Sequence, residues 1–194
     1  MCKLINVGLC ITGSFCTHAD ILKEIKHLKE NNLNILPIIS YSVATTDTRF
    51  GMADKFIENL TSLTDKSPIK TITDAEPLGP GNFLDIMVIA PCTGNTLSKL
   101  NNAITDTPVL MAAKAHLRNN KPLVISVSTN DALGNSFKNI AELMNKKNIF
   151  FVPFTQDNPT QKPNSLISDM SLILPTIQHA LTSKQIQPIL TNSK

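Results

Sequence analysis

Hydroxyl side chains next to glycine follow the first apolar run of this 194-residue chain. The segment is Thr12-Gly13-Ser14, directly after Ile5 to Ile11. Glycine lets the backbone approach a ligand closely, and a helix that begins there presents free N–H groups and the positive end of its dipole. These features suit a phosphate group. A tight strand-to-helix turn, with Ser14 capping the helix, explains the same residues.

The most informative segment is Pro91 to Leu100, which follows a second strongly apolar run. Thr93, Asn95 and Thr96 fall at the predicted N-terminus of a helix, and Lys99 lies one turn further on. Side-chain donors, unpaired N–H groups and the helix dipole together favour the anionic tail of a cofactor. N-capping explains Thr93 alone but not the whole group. We therefore interpret this segment as functional.

Two more apolar runs end in polar loops. Ser40 follows one of them, and Arg49 comes shortly after it in a segment rich in hydroxyl groups. Ser128 and Asn130 follow the other. The guanidinium of Arg49 suits a carboxylate or a phosphate, although an ion pair with a nearby aspartate is the alternative.

The elements that must position these loops alternate between buried strands and amphipathic helices. Strands are predicted at 5–11, 33–39, 85–90, 123–127 and 149–152. Helices are predicted at 19–30, 52–63, 93–102, 108–117, 131–147 and 165–182. This alternation predicts a single Rossmann-like (flavodoxin-like) α/β domain, with a parallel sheet and helices on both faces. Ligands bind outside the carboxyl ends of such strands, so all four loops are predicted to meet in one crevice.

The rest of the chain sets the boundaries of this domain. Residues 66–83 contain three prolines and are predicted as a short strand and a long irregular connection. Residues 156–163 are predicted as a polar loop. We expect the domain to span residues 1–184 and residues 185–194 to form a C-terminal tail.

Composition excludes several classes of protein. Charged residues make up 17% of the chain, and the net charge of +3 is spread without a basic face, which argues against nucleic acid. Every apolar run is far shorter than the roughly 20 residues that cross a bilayer, so no membrane association is expected. The four cysteines, Cys2, Cys10, Cys16 and Cys92, lack metal-ligand spacing. Free thiols, no metal and a cytoplasmic location are therefore predicted.

The strand-end motifs resemble a known superfamily over most of the chain, to about residue 180. TGS after the first strand, IS after the second and APCTGNTLSKL after the third are similar to the FMN-dependent cysteine decarboxylases and flavin prenyltransferases. The resemblance implies that FMN is the cofactor and that hydroxyls hold its phosphate. The implied cofactor-binding residues are Thr12, Gly13, Ser14, Ser40, Thr93, Asn95, Thr96 and Ser128.

Longer segments resemble one family within that superfamily, the B subunits of dipicolinate synthases from spore-forming bacteria. They include TDTRFG, AEPLGP, the stretch from Met87 to Gly134, and KPNS. This resemblance implies a partner, the A subunit of dipicolinate synthase, with an NAD(P)-binding dehydrogenase fold, and oxidation of a dihydrodipicolinate to dipicolinate in sporulation. Relatives are homo-oligomers. For the small dicarboxylate substrate we predict contacts from Arg49, Lys99 and Asn130. Lys114 and Arg118 are two further candidate cations, and the alternative for both is a solvent-exposed position on a helix surface.

The histidines depart from the decarboxylase pattern. Those enzymes use a histidine after the second strand, whereas this chain has only His18, His27, His116 and His179. A stand-alone decarboxylase or prenyltransferase is therefore disfavoured, while a non-catalytic supporting role stays open. No catalytic residue is assigned.

Overall fold

The computed structural model describes residues 4–192, which form a seven-stranded sheet with helices on both faces. The strands of this part of the chain are β1 Ile5–Ile11, β2 Leu33–Ile39, β3 Ile86–Cys92, β4 Leu123–Thr129, β5 Ile149–Phe151, β6 Phe154–Asn158 and β7 Lys162–Ser168. Strands β1 to β5 pair in parallel, in the order β2-β1-β3-β4 with β5 on β4. The predicted α/β fold is confirmed, with a sheet that is mostly rather than wholly parallel.

The helices form the two layers that cover this sheet. They are α1 His18–Glu30, α2 Tyr41–Thr45, α3 Ala53–Thr64, α4 Ile72–Ala75, α5 Leu78–Gly81, α6 Gly94–Asn101, α7 Pro108–Leu117, α8 Phe137–Met144 and α9 Ile173–Leu181. One core contains Ile21 and Ile25 of α1 with Ile177 of α9, and the other contains Val109 of α7 and Leu143 of α8. Because both faces are covered, the central strands read as continuous apolar runs.

The sequence-based boundaries differ from the structure at the third strand and at two connections. Strand β3 continues through Pro91 to Cys92, past the predicted end at Ala90. Helix α8 begins only at Phe137, because turns occupy residues 131–136. In residues 66–83 the predicted strand reduces to one bridge between Ile69 and Ile38, and the short helices α4 and α5 occupy the remainder.

A β-hairpin replaces the predicted loop at 156–163 and the start of the helix predicted at 165–182, and α9 begins only at Ile173. Strands β6 and β7 pair antiparallel, and β7 also pairs with the end of β4. Strand β3 pairs with one edge of β4. Along the opposite edge, β5 pairs with the first part of β4 and β7 pairs with its end. The prediction failed because the hairpin leaves the covered sheet: Lys162–Asn164 are exposed, so these residues show no apolar pattern. Pro163 lies outside the part of β7 that pairs with β4, which is at Leu166 and Ile167, so one side of the strand is unpaired with β4 there.

The last described residues, 185–192, lie against β5 and β6. The Gln185 side chain accepts a hydrogen bond from Phe151 N at 2.8 Å and donates one to Phe151 O at 2.7 Å. Leu190 forms a parallel bridge with Phe154. Within residues 4–192, no helix is long and apolar enough to cross a membrane.

Candidate functional site

The strand order creates a crevice between β1 and β3. Strand β2 lies on one side of β1, whereas β3 and β4 lie on the other. The order of strands therefore reverses between β1 and β3, and such a topological switch point is where sheets of this kind bind ligands. Thr12 joins the two strand ends: its Oγ1 donates to Pro91 O at 2.7 Å and accepts from Thr93 N at 3.1 Å. Thr12 is buried and forms a link beneath the crevice rather than a part of its surface.

Ser14 reaches across the crevice instead of capping a helix. Its side chain makes no capping hydrogen bond, and its Oγ lies 2.7 Å from Ser128 Oγ. The two residues follow β1 and occupy β4, between which β3 lies. The hydroxyl pair therefore spans the end of β3, close to the segment that begins at Thr93.

A cavity of about 560 Å³ lies at these strand ends. Six of the predicted site residues line it: Gly13, Ser14, Thr93, Asn95, Ser128 and Asn130. The remaining lining residues were not predicted, and they are Cys16, Gly94, Thr129, Asp131, Asp157, Lys162, Ser165, Leu166 and Ile167. The structure thus gathers three of the four polar loops in one cavity, and it adds a wall from the hairpin.

Two predicted phosphate ligands, Thr96 and Ser40, lie behind this surface and do not line the cavity. Thr96 Oγ1 is 3.0 Å from Thr93 Oγ1, and Thr93 also caps α6 by accepting from Thr96 N. Ser40 caps α2, and its Oγ is 3.0 Å from Ser42 Oγ. A Cβ built on Gly13 would meet that Ser42 oxygen at 3.0 Å, so Ser42 lies directly behind the glycine of the first loop.

The predicted cations lie outside the cavity lining. Lys99 Nζ is 2.6 Å from Asp106 Oδ2, so its charge is already paired. Arg49 is exposed, and its guanidinium carbon lies 4.9 Å from the Phe50 ring centroid. Asp47, a proposed partner for Arg49, instead accepts from Ala53 N at 2.9 Å.

Lys114 and Arg118 belong to the opposite end of the domain. Arg118 is the residue that ends α7, five positions before β4 begins, so it lies at the amino-terminal edge of the strands. Its guanidinium packs against Gly79. We therefore assign neither residue to the crevice.

Asp131 is a site residue that the sequence pattern did not single out, although it lies in the polar loop after β4. Its Oδ1 accepts from Thr129 Oγ1 at 2.6 Å and from Ser136 Oγ at 3.1 Å. A Cβ on Gly94 would lie 2.8 Å from that same oxygen. Gly94, the first residue of α6, is thus required for the loops after β3 and β4 to approach one another.

The hairpin supplies the side wall of the cavity. Leu166 and Ile167 contribute apolar surface, and Lys162 contributes a positive charge. Lys162 Nζ donates to Asp157 Oδ2 at 2.6 Å, and this hydrogen bond with the accompanying charge attraction raises the pKa of Lys162. These residues were missed because the hairpin was predicted as a loop without a fixed position.

None of the histidines lines the cavity in residues 4–192. His18 is buried behind the first loop, where its Nε2 lies 3.1 Å from Thr12 O and its ring stacks on Phe56. Burial lowers the pKa of His18, with the Thr12 carbonyl acting in the opposite direction. His116 Nε2 lies 2.9 Å from Pro122 O, at the far edge of the sheet.

A second cavity, of about 670 Å³, lies between α1 and the hairpin. Its charged side chains include Asp20, paired with Lys23, and Glu24, paired with His27, and none of the predicted site residues lines it. We therefore place the candidate site in the crevice.

The donor set of the crevice fits a phosphate ester with an attached flat ring. The hydroxyls of Ser14, Thr93 and Ser128 are neutral donors, and the N-terminus of α6 adds backbone N–H groups and a positive dipole end. The apolar wall suits a ring face, and the volume lies in the ordinary range of ligand pockets. These residues fit FMN.

Comparison with known proteins agrees with this geometry. The family model described as Flavoprotein matches residues 2–180. The B subunit of dipicolinate synthase from Bacillus subtilis (strain 168) is 48% identical over 188 residues, which cover 97% of this chain and 94% of that protein. The crystal structure of the B subunit of dipicolinate synthase from Bacillus halodurans C superposes with a TM-score of 0.90 at 47% identity, covering 98% of this chain and 97% of the other.

A more distant structure defines the wider fold. The FMN-dependent cysteine decarboxylase SpaF has a TM-score of 0.65 at 19% identity, covering 92% of this chain and 95% of that enzyme, which shows a shared fold. The chain therefore belongs to the Flavoprotein family, in which it resembles the B subunits of dipicolinate synthase.

Proposed function

We propose that this chain is the FMN-binding component of a dipicolinate synthase. In this proposal it acts with a dehydrogenase-like A subunit, which binds NAD(P), to oxidise dihydrodipicolinate to dipicolinate during sporulation. The assembly is a homo-oligomer of this chain together with that dehydrogenase-like partner, in the cytoplasm. The proposal is supported by 48% identity over almost the whole chain to a protein named as the B subunit of that synthase.

The single observation that carries the cofactor assignment is the contact between Ser14 and Ser128 at 2.7 Å. The loop after β1 and the end of β4 meet through two serines that are 114 residues apart, and their hydroxyls face the cavity together with Thr93. A structural turn alone would not need both hydroxyls to converge at this point. A phosphate bound there would accept from all three hydroxyls once it replaces the hydrogen bond between Ser14 and Ser128.

In this proposal the residues of this chain bind and orient FMN and the substrate, and they do not react themselves. When bound, FMN supplies a ring that accepts a hydride. Leu166 and Ile167 limit the access of water to one wall of the cavity. The hydroxyl groups of the crevice hold the phosphate end of the ligand. The substrate gains aromaticity on losing a hydride and a proton, so correct positioning is the main requirement.

The positions of the histidines weigh against a stand-alone decarboxylase. The decarboxylase pattern calls for a histidine after the second strand, near the flavin ring. Here that region contains none, and His18 is held against Thr12 behind the crevice. We therefore favour an oxidoreductase component over a lyase.

FMN titration of the purified chain tests this proposal, with flavin fluorescence as the measurement and with the dehydrogenase-like partner present or absent. Saturable quenching by the chain alone, together with dipicolinate formation only when the partner is added, is the expected result. Absence of FMN binding in both samples would remove the flavin from the proposal. If the partner were stimulated all the same, this chain would have a non-catalytic supporting role.

A further inference from the structure

Lys162 brings a positive charge to the cavity that the proposed function does not yet use. The other ionised groups that line the cavity in residues 4–192 are the carboxylates of Asp131 and Asp157. The ammonium group contacts only one of them, Asp157, at 2.6 Å. Lys162 is thus the one cation of the described lining that can offset these two carboxylates when an anion approaches.

The position of Lys162 places this charge away from the hydroxyl cluster. Ile167 of β7 pairs with Ser128, and Lys162 lies five residues earlier on the same strand. Five residues of extended strand span about 16 Å, so the backbone of Lys162 stands well out from Ser128. The cavity therefore has a hydroxyl end and an ammonium end, and these ends suit two separate anionic groups.

The ion pair between Lys162 and Asp157 can be replaced by another ion pair with little loss of free energy. The side chains of Lys162 and Asp157 are 55% and 32% exposed. A pair with this much solvent contact contributes little to stability, because water screens the attraction. A ligand carboxylate can thus replace Asp157 as the partner of the ammonium group without a large loss.

We propose that Lys162 binds a carboxylate of the substrate, and that Asp157 holds the ammonium group in place until that carboxylate arrives. This inference rests on the proposed function, which makes the ligand a small dicarboxylate. It assigns substrate recognition to the hairpin, a part of the chain with no predicted site residue. Without Lys162 the dianion would face Asp131 and Asp157 with no compensating cation.

Binding of pyridine-2,6-dicarboxylate to the full-length chain, measured by calorimetry with and without FMN, tests this assignment. Lys162→Met should weaken dicarboxylate binding at least tenfold, while FMN affinity stays within about twofold of the wild type. Lys162→Arg should restore most of the affinity, and Asp157→Asn should increase it. Lys55→Met is the matched control, because Lys55 is an exposed lysine paired with Glu58 on α3.

Three results would overturn the assignment. The first is unchanged dicarboxylate affinity in Lys162→Met, and the second is absence of dicarboxylate binding by the wild type in both states. The third is an equal loss of FMN affinity, which would assign Lys162 to the phosphate instead. Dicarboxylate binding that depends on Lys162 in a chain that takes up no FMN would contradict the proposed flavin role and leave this inference standing.

Discussion

The hydroxyl groups of Ser14 and Ser128 lie 2.7 Å apart although the strands that carry them are not neighbours. Strand β3 lies between β1 and β4, so adjacent spacings of about 4.8 Å put the two outer strands roughly 10 Å apart. The contact exists because Ser14 has left β1 and leans across the end of β3. The loop after β1 therefore forms a bridge above the N-terminus of α6.

The first prediction concerns the charge at this bridge. Ser14→Glu should weaken FMN binding by roughly 100-fold or more, because it removes a hydrogen-bond donor and puts a carboxylate where the phosphate is proposed to bind. Fluorescence titration measures the affinity, and circular dichroism verifies the fold. Ser62→Glu, at an exposed position on α3, is the control. Equal affinities for both variants would show that the phosphate binds elsewhere.

The second prediction concerns the close approach at Gly94. Gly94→Ala should lower the free energy of unfolding by about 1–3 kcal/mol, because the added methyl group would lie 2.8 Å from both Asp131 Oδ1 and Ser136 Oγ. The higher helix propensity of alanine offsets at most about 1 kcal/mol of this loss. Urea denaturation measures the change.

Gly134→Ala is the matched control for Gly94→Ala. A Cβ on Gly134 would have a single neighbour, Asp131 O at 3.3 Å, and Gly134 is exposed. We expect a change in unfolding free energy below about 0.5 kcal/mol, as for surface substitutions in general. A loss for Gly134→Ala as large as for Gly94→Ala would mean that the approach to the side-chain oxygens Asp131 Oδ1 and Ser136 Oγ is not the cause.

The third prediction concerns Gln185, which holds the C-terminal segment to the sheet. Gln185→Ala should destabilise the protein by about 1–3 kcal/mol, since Phe151 N and O would both lose their side-chain partner. Gln178→Ala, at an exposed position on α9, should change stability by less than about 0.5 kcal/mol. Thermal and urea denaturation compare the two variants. Similar values would show that water satisfies the Phe151 backbone as well as Gln185 does.

The sequence predicted the central elements well because their burial imposes a clear pattern. The bounds of β1 and β2 match the predicted runs, and α7 matches from Pro108 to Leu117. Proline at the first helical position marks the start of α7, and Gly13 follows the end of β1. Parallel strands covered on both faces leave little choice of residue type, so the order of elements could be inferred.

The candidate site was predictable only in part, and the reason is spatial. The loops at Thr12 to Ser14 and at Thr93 to Thr96 follow buried strands, so the fold class alone brings them together. Lys162 and Asp157 belong to the exposed ends of β7 and β6, which carry no apolar periodicity. The pairing of these strands is set by backbone hydrogen bonds to β4 and between themselves. No local signal distinguishes such a hairpin from a loop.

The final prediction concerns the dependence of stability on pH through His18. Burial lowers the pKa of His18 below its usual value of 6.5, so the unfolded chain takes up the proton before the folded chain does. The stabilising contribution of the neutral ring is present above pH 6.5 and is lost as the pH falls below 6.5 towards the folded-state pKa. His18→Phe should therefore lose less stability than the wild type between about pH 7.5 and pH 5.

Two features make His18→Phe a sharp test. The phenyl ring preserves stacking between Phe15 and Phe56, whereas it loses the hydrogen bond to Thr12 O, so a lower stability at about pH 7.5 is expected with a flatter pH profile. His116 has the same direction of shift and remains in both proteins, so the difference between the two profiles isolates His18. Parallel profiles for wild type and His18→Phe would mean that His18 binds its proton equally in the folded and unfolded chains, and that the ring behind the first loop is accessible to water.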